Sequence, residues 1–328
     1  MTILVTGSAG HLGEALMRAL RRDGREVRGL DLKPSPFTDR VGSISDRTFV
    51  AGCLDNVRVV IHTAALHKPH VGTHRQQDFI DTNVTGTLAL LEEAVKADVT
   101  SFVFTSTTSA FGSALSPPAG APAAWITEQV TPVPKNIYGV TKIAAEQLCE
   151  LFARRDRMPV VILRTSRFFP EADDNENMRG AYQTPNMQVN ELLHRRADVS
   201  DIVSAHLLAA ERAPSLGFGC YIVSATTPFS TDDLAELRRD ARAVVARMFP
   251  DSPEIYALRR WKMFPTIDRV YVNAAARGAL GWQPRFGFGE ALEALRSGRD
   301  FRSPLAGEIG SKGYHGQVFA EGPYPVAT

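Results

Sequence analysis

Two patterns of apolar positions alternate along this chain. Short runs of consecutive aliphatic and β-branched residues occur at Ile3–Thr6, Val27–Leu32, Val57–Ile61, Ser101–Phe104 and Pro159–Leu163. Between them lie stretches whose apolar residues recur every three or four positions, among them Leu12–Arg22, Gln76–Ala97 and Ile137–Ala153. A strand that is apolar without alternation is buried on both faces, and the intervening helices supply the two covering layers. The pattern predicts an α/β fold with a doubly wound parallel sheet, in which ligands bind at the carboxyl ends of the strands. Beyond Arg164 the regularity loosens. Phe168–Pro185 is polar and irregular, Tyr221–Val223 reads as one more strand, and Asp232–Met248, Asn273–Leu280 and Gly289–Leu295 read as helices. The expected division is a nucleotide-binding domain over residues 1–165, a smaller substrate lobe over 166–300 partly interwoven with the sheet, and an extended Gly- and Pro-rich tail over 301–328.

Composition removes several function classes. The 328 residues are 44% hydrophobic and 22% charged, with a formal net charge of +1. That balance leaves no electrostatic footprint for nucleic acid or an anionic membrane. No apolar run approaches the ~20 residues a membrane helix needs. The N-terminus, "MTILVTGSAG", enters a strand at once and lacks the regions of a signal peptide. Cys53, Cys149 and Cys220 are scattered without metal or pairing spacing, which fits reduced thiols and a cytoplasmic location. A small-molecule ligand is the expected partner.

Candidate chemistry begins at "TILVTGSAGHLG", where Gly7, Gly10 and Gly13, with His11 and Leu12 among them, join a strand to a helix. Glycines there permit a tight turn and let the backbone approach a pyrophosphate, whose charge then sits at the helix N-terminus. This is a Rossmann arrangement. Asp31 ends the second strand, where a carboxylate accepts hydrogen bonds from adenosine ribose hydroxyls and repels a 2′-phosphate, although Lys33 nearby softens that preference. Tyr138 and Lys142 lie four residues apart on one helix face. A neighbouring ammonium favours phenolate and pulls a tyrosine pKa down from ~10.

The order of these motifs resembles the extended short-chain dehydrogenase/reductase family, in its NAD-dependent epimerase and dehydratase branch, from about residue 1 to 300. The G-x-x-G-x-x-G spacing is that branch's own. "GSISD" is similar to the adenine-contacting turn, with Ser43 in place of the usual Asp and Ile44 beside it. "IHTAAL" resembles the fourth-strand signature, which implies Thr63, Ala64 and Ala65 along the pyrophosphate and ribose. "NVTGT" matches at Asn83, which by resemblance braces the active-site strand and belongs with the cofactor residues. "FTSTTSAFG" places the catalytic hydroxyl on Thr107, with Ser106 adjacent, and "ILRTS", "ADVSDIVSAHLLA" and "ALGWQP" resemble later signatures. The resemblance implies NAD as cofactor. It also implies that Tyr138 shuttles the substrate's hydroxyl proton, that Lys142 lowers its pKa and holds the nicotinamide ribose, and that Thr107 or Ser106 bonds the same substrate oxygen. A homodimer is implied as well, pairing Gln76–Ala97 and Ile137–Ala153, with Leu88, Leu91, Ala145 and Leu148 as candidate contacts.

Departures refine the expectation. Thr108-Ser109 follows Thr107 where the family's dehydratases carry Asp-Glu, which argues against dehydration. Ser166-Arg167 replaces an Asn usual in nucleotide-sugar epimerases, and the Arg164–Asp198 interval is short for gripping a nucleoside diphosphate. Both favour a net dehydrogenase transferring a hydride at a secondary alcohol or ketone of a sugar-like or other polar small molecule, such as a free sugar or uronate, with an NAD-dependent sugar or nucleotide-sugar epimerase as the alternative. A catalytically silent nucleotide-binding sensor is the alternative of another class, and intact Tyr138, Lys142 and Thr107 speak against it. His67, His70 and His74 have spacing that invites a metal, but Pro69 interrupts any helix through them and no fourth ligand is evident, so no metal is expected. His67, Ser106 and Arg167 are the candidate substrate contacts, and Trp261 and Phe264 are read as packing residues.

Overall fold

The structure is a computed structural model that describes residues 2–173, 175–313, 315, 319 and 324–325. Nine strands are described: β1 (Thr2–Thr6), β2 (Val27–Asp31), β3 (Arg40–Val41), β4 (Val57–His62), β5 (Ser101–Thr107), β6 (Ala124–Ile126), β7 (Val160–Thr165), β8 (Phe218–Val223) and β9 (Arg269–Tyr271). Seven of them form one parallel sheet in the order β3-β2-β1-β4-β5-β7-β8, and β6 pairs with β9. Strand order turns back on itself between β1 and β4, so a crevice opens at the carboxyl ends of these two strands. The fold is the doubly wound α/β architecture that the apolar runs predict.

Helices cover both faces. The first half contributes α1 (His11–Arg22), α2 (Arg47–Cys53), α3 (Gln76–Phe79), α4 (Gly86–Lys96) and α5 (Ile137–Arg155). After β7 come α6 (Glu176–Ala181), α7 (Thr184–Glu191), α8 (Val199–Leu216), α9 (Leu234–Met248), α10 (Ser252–Arg259), α11 (Ala274–Leu280), α12 (Phe288–Arg296) and α13 (Pro304–Ile309). One core joins the sheet to α1, α8 and α11 through Leu16, Val103, Ile202 and Leu280. The other joins it to α2, α4 and α5 through Val50, Leu90, Phe102 and Phe152. The small lobe has a separate core around Val189, Leu237, Tyr256 and Phe288.

Three expectations change. The single helix expected over Gln76–Ala97 is interrupted by a wider π turn at Ile80–Thr85, which carries Asn83 to the edge of the crevice. The tail is not wholly extended, because Leu305 and Ile309, four residues apart, bury one side of α13 against the α1 and α8 core. The rest of that tail expectation falls in part outside the described residues. On the helices expected to pair in a dimer, Leu91 and Ala145 face the sheet and are fully buried, while Val140 and Leu151 are the exposed apolar positions of α5.

Candidate active site

Gly7 closes β1 at φ +74°, a conformation open to glycine, and its N–H donates to the Leu30 carbonyl at 2.7 Å. A Cβ on Gly13 would lie 1.9 Å from the Gly7 carbonyl oxygen, and one on Gly10 would lie 3.1 Å from it. The turn and the first turn of α1 therefore touch backbone to backbone, which is the cradle a pyrophosphate requires. Leu12, Asp31, Ser43, Ile44, Thr63, Ala64 and Ala65 line the same cavity of about 1230 Å³, so the residues present fit a dinucleotide. Asp31 Oδ2 accepts the Ala9 N–H at 3.0 Å and Oδ1 accepts the Lys33 N–H at 2.9 Å. Each oxygen keeps a second lone pair, enough to accept a ribose hydroxyl. Asp31→Ala should weaken NAD binding and narrow the gap to NADP. The ratio of kcat/KM for the two cofactors measures this, and an unchanged ratio would remove Asp31 from the adenosine ribose.

A buried polar chain ties this cradle to the catalytic helix. His62 Nδ1 lies 2.7 Å from Thr6 Oγ1, its Nε2 lies 3.0 Å from Thr87 Oγ1, and Thr87 donates to the Asn83 carbonyl at 2.7 Å. Burial holds His62 at a pKa of about 3, so it stays neutral and can serve as donor on one side and acceptor on the other. The Asn83 amide donates to the Leu66 carbonyl and to Thr141 Oγ1 and accepts the Leu66 N–H. Asn83 is 2% exposed and its side chain is spent on these partners, so it braces the crevice rather than lining it.

The three candidate catalytic residues meet at the carboxyl end of β5. Asn136 caps α5 by accepting the Gly139 N–H at 3.0 Å, which sets Tyr138 in the first turn and Lys142 one turn later. Burial raises the Tyr138 phenol to about 12, opposed by a hydrogen bond with the Thr107 hydroxyl. The expected lowering by Lys142 is not found, and the reason is geometric. The Lys142 ammonium donates to the Thr105 carbonyl at 2.6 Å and sits 4.0 Å over the Phe104 ring, turned towards β5. Burial brings Lys142 down to about 8, while the Glu146 carboxylate one turn further on pushes the other way.

Ser106, the adjacent candidate substrate contact, has its hydroxyl proton engaged by Glu146. It lines the cavity but donates to Glu146 Oε1 at 2.5 Å, and Arg164 Nη2 pairs with Glu146 Oε2 at 2.7 Å. Glu146→Gln removes the charge that favours ammonium at Lys142. The Lys142 pKa then falls further, and the basic limb of the kcat profile should move to lower pH. A basic limb that stays in place in a kcat–pH series would separate Glu146 from Lys142.

On its small-lobe side the cavity is lined by charged residues of both signs, with Arg167 paired to Asp173 and Arg269 to Asp268. His67 and Arg167 line it, with His67 held neutral at about 3 by burial and by His70. Arg195, Arg238 and Arg269 line it as well, with Phe264. Glu191 anchors part of this group and one arginine behind it: it is fully buried and meets Arg167 at 3.2 Å, Arg195 at 2.8 Å and Arg196 at 2.7 Å. Burial alone would raise its pKa, but the three guanidinium charges pull it well below the carboxylate range. His194 Nε2 and Arg195 Nε are buried without a hydrogen-bond partner. Arg195, Arg238, Arg269 and Phe264 were not assigned to the site from sequence, because they converge from separate elements. Trp261 packs as expected and donates to Gln183 Oε1 at 3.2 Å. Among the described residues, no group of His, Cys, Asp and Glu side chains is arranged to hold a metal ion, and no helix is long and apolar enough to cross a membrane.

The chain belongs to the NAD dependent epimerase/dehydratase family, whose profile matches residues 3–217. It is 34% identical over 169 residues to an uncharacterized protein of Sinorhizobium fredii, a match covering 50% of this chain and 40% of that one. The chain thus spans less than half the length of that relative. It is 26% identical over 326 residues to a UDP-glucose 4-epimerase of Halalkalibacterium halodurans, covering 87% of this chain and 91% of the relative. Among solved structures, a short-chain dehydrogenase/reductase superfamily protein from Agrobacterium tumefaciens with bound NAD superposes with a TM-score of 0.64 at 25% identity, covering 94% of this chain and 99% of that one.

Proposed function

We propose that this protein is an NAD-dependent epimerase that inverts a secondary alcohol of a nucleotide sugar, the alternative to net dehydrogenation that the sequence left open. The observation that carries the reading is the continuity of one cavity of about 1230 Å³ from the glycine turn, past Thr107 and Tyr138, to Arg195, Arg238 and Arg269. Pockets for one drug-sized ligand run to ~300–1,000 Å³, so this one accommodates a dinucleotide and a second sizeable ligand. The short Arg164–Asp198 interval argued against a gripped nucleoside diphosphate. Arg195 comes from that interval, but Arg238 of α9 and Arg269 of β9 line the same cavity from outside it, so the length of the interval alone does not limit the grip. The name of the Halalkalibacterium relative points the same way.

In this reading Thr107 and Tyr138 bind the substrate oxygen, and Tyr138 moves its proton at the phenol Oη. Lys142 holds the nicotinamide ribose. Gly7, Gly10, Gly13 and Asp31 hold the dinucleotide, and NAD when bound accepts and returns the hydride. The arginines anchor an anionic tail while the sugar turns over, which keeps the ketone from escaping. Incubation with UDP-glucose or UDP-galactose should give the inverted sugar with no net change in NADH absorbance. Stoichiometric accumulation of NADH with these or with free sugars and uronates would restore the dehydrogenase.

A further inference from the structure

We infer that the described positions just after α13, residues 311–313, are part of the dinucleotide site, and that Lys312 is the cation that meets the pyrophosphate there. This rests on the NAD reading above and assigns a role to a segment that the sequence left without one.

The segment is fixed at its base. The Ser303 N–H donates to Asp198 Oδ2 at 2.9 Å, and Glu308 pairs with Arg22 and, at 3.7 Å, with Arg18 of α1. Gly310 then turns at φ +61°, and the chain runs onto the cavity. Three donors in a row, Ser311 Oγ, Lys312 N and Gly313 N, converge on Glu171 Oε1 at 2.8, 3.2 and 3.3 Å. One carboxylate oxygen thereby sets the path of the backbone. Further on, His315 Nε2 donates to the Pro69 carbonyl at 3.0 Å, and Pro325 lies against Gly72. The described positions therefore join the α1 side of the crevice to the loop that follows β4. Lys312, Gly313 and Tyr324 line the same cavity as Gly7, Gly10 and His11.

Electrostatics says what this geometry is for. The Lys312 ammonium pairs with Glu14 in the first turn of α1, beside His11 at the first position of that helix. A cation at the positive end of a helix dipole is unfavourable by itself. Glu14 offsets part of it, although that carboxylate also serves Arg18 at 2.7 Å. An arriving pyrophosphate adds negative charge for the helix end and for Lys312, whose partner Glu14 is shared with Arg18, and a lysine binds phosphate as a point charge without demanding a fixed fork geometry.

The test uses the full-length chain with Lys312→Met, Lys312→Arg and a truncation after Ile309, and measures Kd for NAD and for adenosine by titration calorimetry. Losing one charge-assisted contact should raise Kd for NAD about tenfold in Lys312→Met and in the truncated chain. Lys312→Arg should bind NAD like the parent, and adenosine affinity should be equal in the parent and Lys312→Met. An unchanged Kd for NAD in Lys312→Met would overturn the inference while leaving the cofactor reading intact. A parent chain that binds no NAD would overturn both. Should the truncation fail to fold, the two point variants decide the matter alone.

Discussion

Tyr138→Phe is expected to cut kcat by roughly 10²–10⁴-fold, the usual effect of removing a positioned proton-transfer group, and to leave NAD affinity unchanged. The phenol is buried and its partner is the Thr107 hydroxyl, whereas the dinucleotide cradle is built from the glycine turn, Asp31 and the end of β4. Phenylalanine keeps the ring and its packing and removes only the oxygen. With burial holding the phenol at about 12, the proton stays on Tyr138 until a positive charge approaches it. The Lys142 ammonium, one turn along α5, is engaged by the Thr105 carbonyl at 2.6 Å and does not lower the phenol in this arrangement. Steady-state rates together with calorimetric NAD binding test this. Parent-like turnover in the variant would move proton transfer to another group.

What could be read from the sequence and what could not divide along physical lines. The glycine turn was legible because its requirement is local: three glycines between a strand and a helix need no distant partner to be interpreted. The Tyr138–Lys142 face was legible because helical spacing alone brings the two residues to one side. The direction of the Lys142 side chain was not, since it depends on a carbonyl of β5 and on the Phe104 ring, both more than thirty residues away. The arginine-bearing side of the cavity shows the same limit more strongly. Arg195, Arg238 and Arg269 come from three elements, and their common neighbourhood exists only once the small lobe has folded against the sheet. The preference for a dehydrogenase judged the grip from one interval of chain, whereas Arg238 and Arg269 line the cavity from outside it. The docking of α13 was hidden for another reason: Leu305 and Ile309 are too few to make an amphipathic pattern amid glycines and prolines.

Gly13→Ala should lower both thermal stability and NAD affinity, against the sign that helix propensity alone would give. Gly13 lies within α1, where alanine is ordinarily favoured over glycine by about 0.5–1 kcal/mol. Here the new Cβ would sit 1.9 Å from the Gly7 carbonyl oxygen, 2.6 Å from its carbon and 2.8 Å from Ser8 Cα, all of them backbone. The turn cannot move away freely, because the Gly7 N–H is held by Leu30 at 2.7 Å and the Gly7 carbonyl accepts the Gly10 N–H at 3.0 Å. Overpacking of this kind costs about 1–3 kcal/mol. The same displacement opens the cradle, so the Kd for NAD should rise about tenfold or more, the equivalent of ~1.4 kcal/mol. Gly52 provides the contrast: it lies inside α2 with no atom within 4 Å of an added Cβ, and Gly52→Ala should be neutral or stabilising. Thermal melts with and without NAD compare the two variants. If Gly13→Ala melts and binds NAD like Gly52→Ala, the close backbone contact between the β1 turn and α1 does not form the cradle, and the cofactor must be held elsewhere.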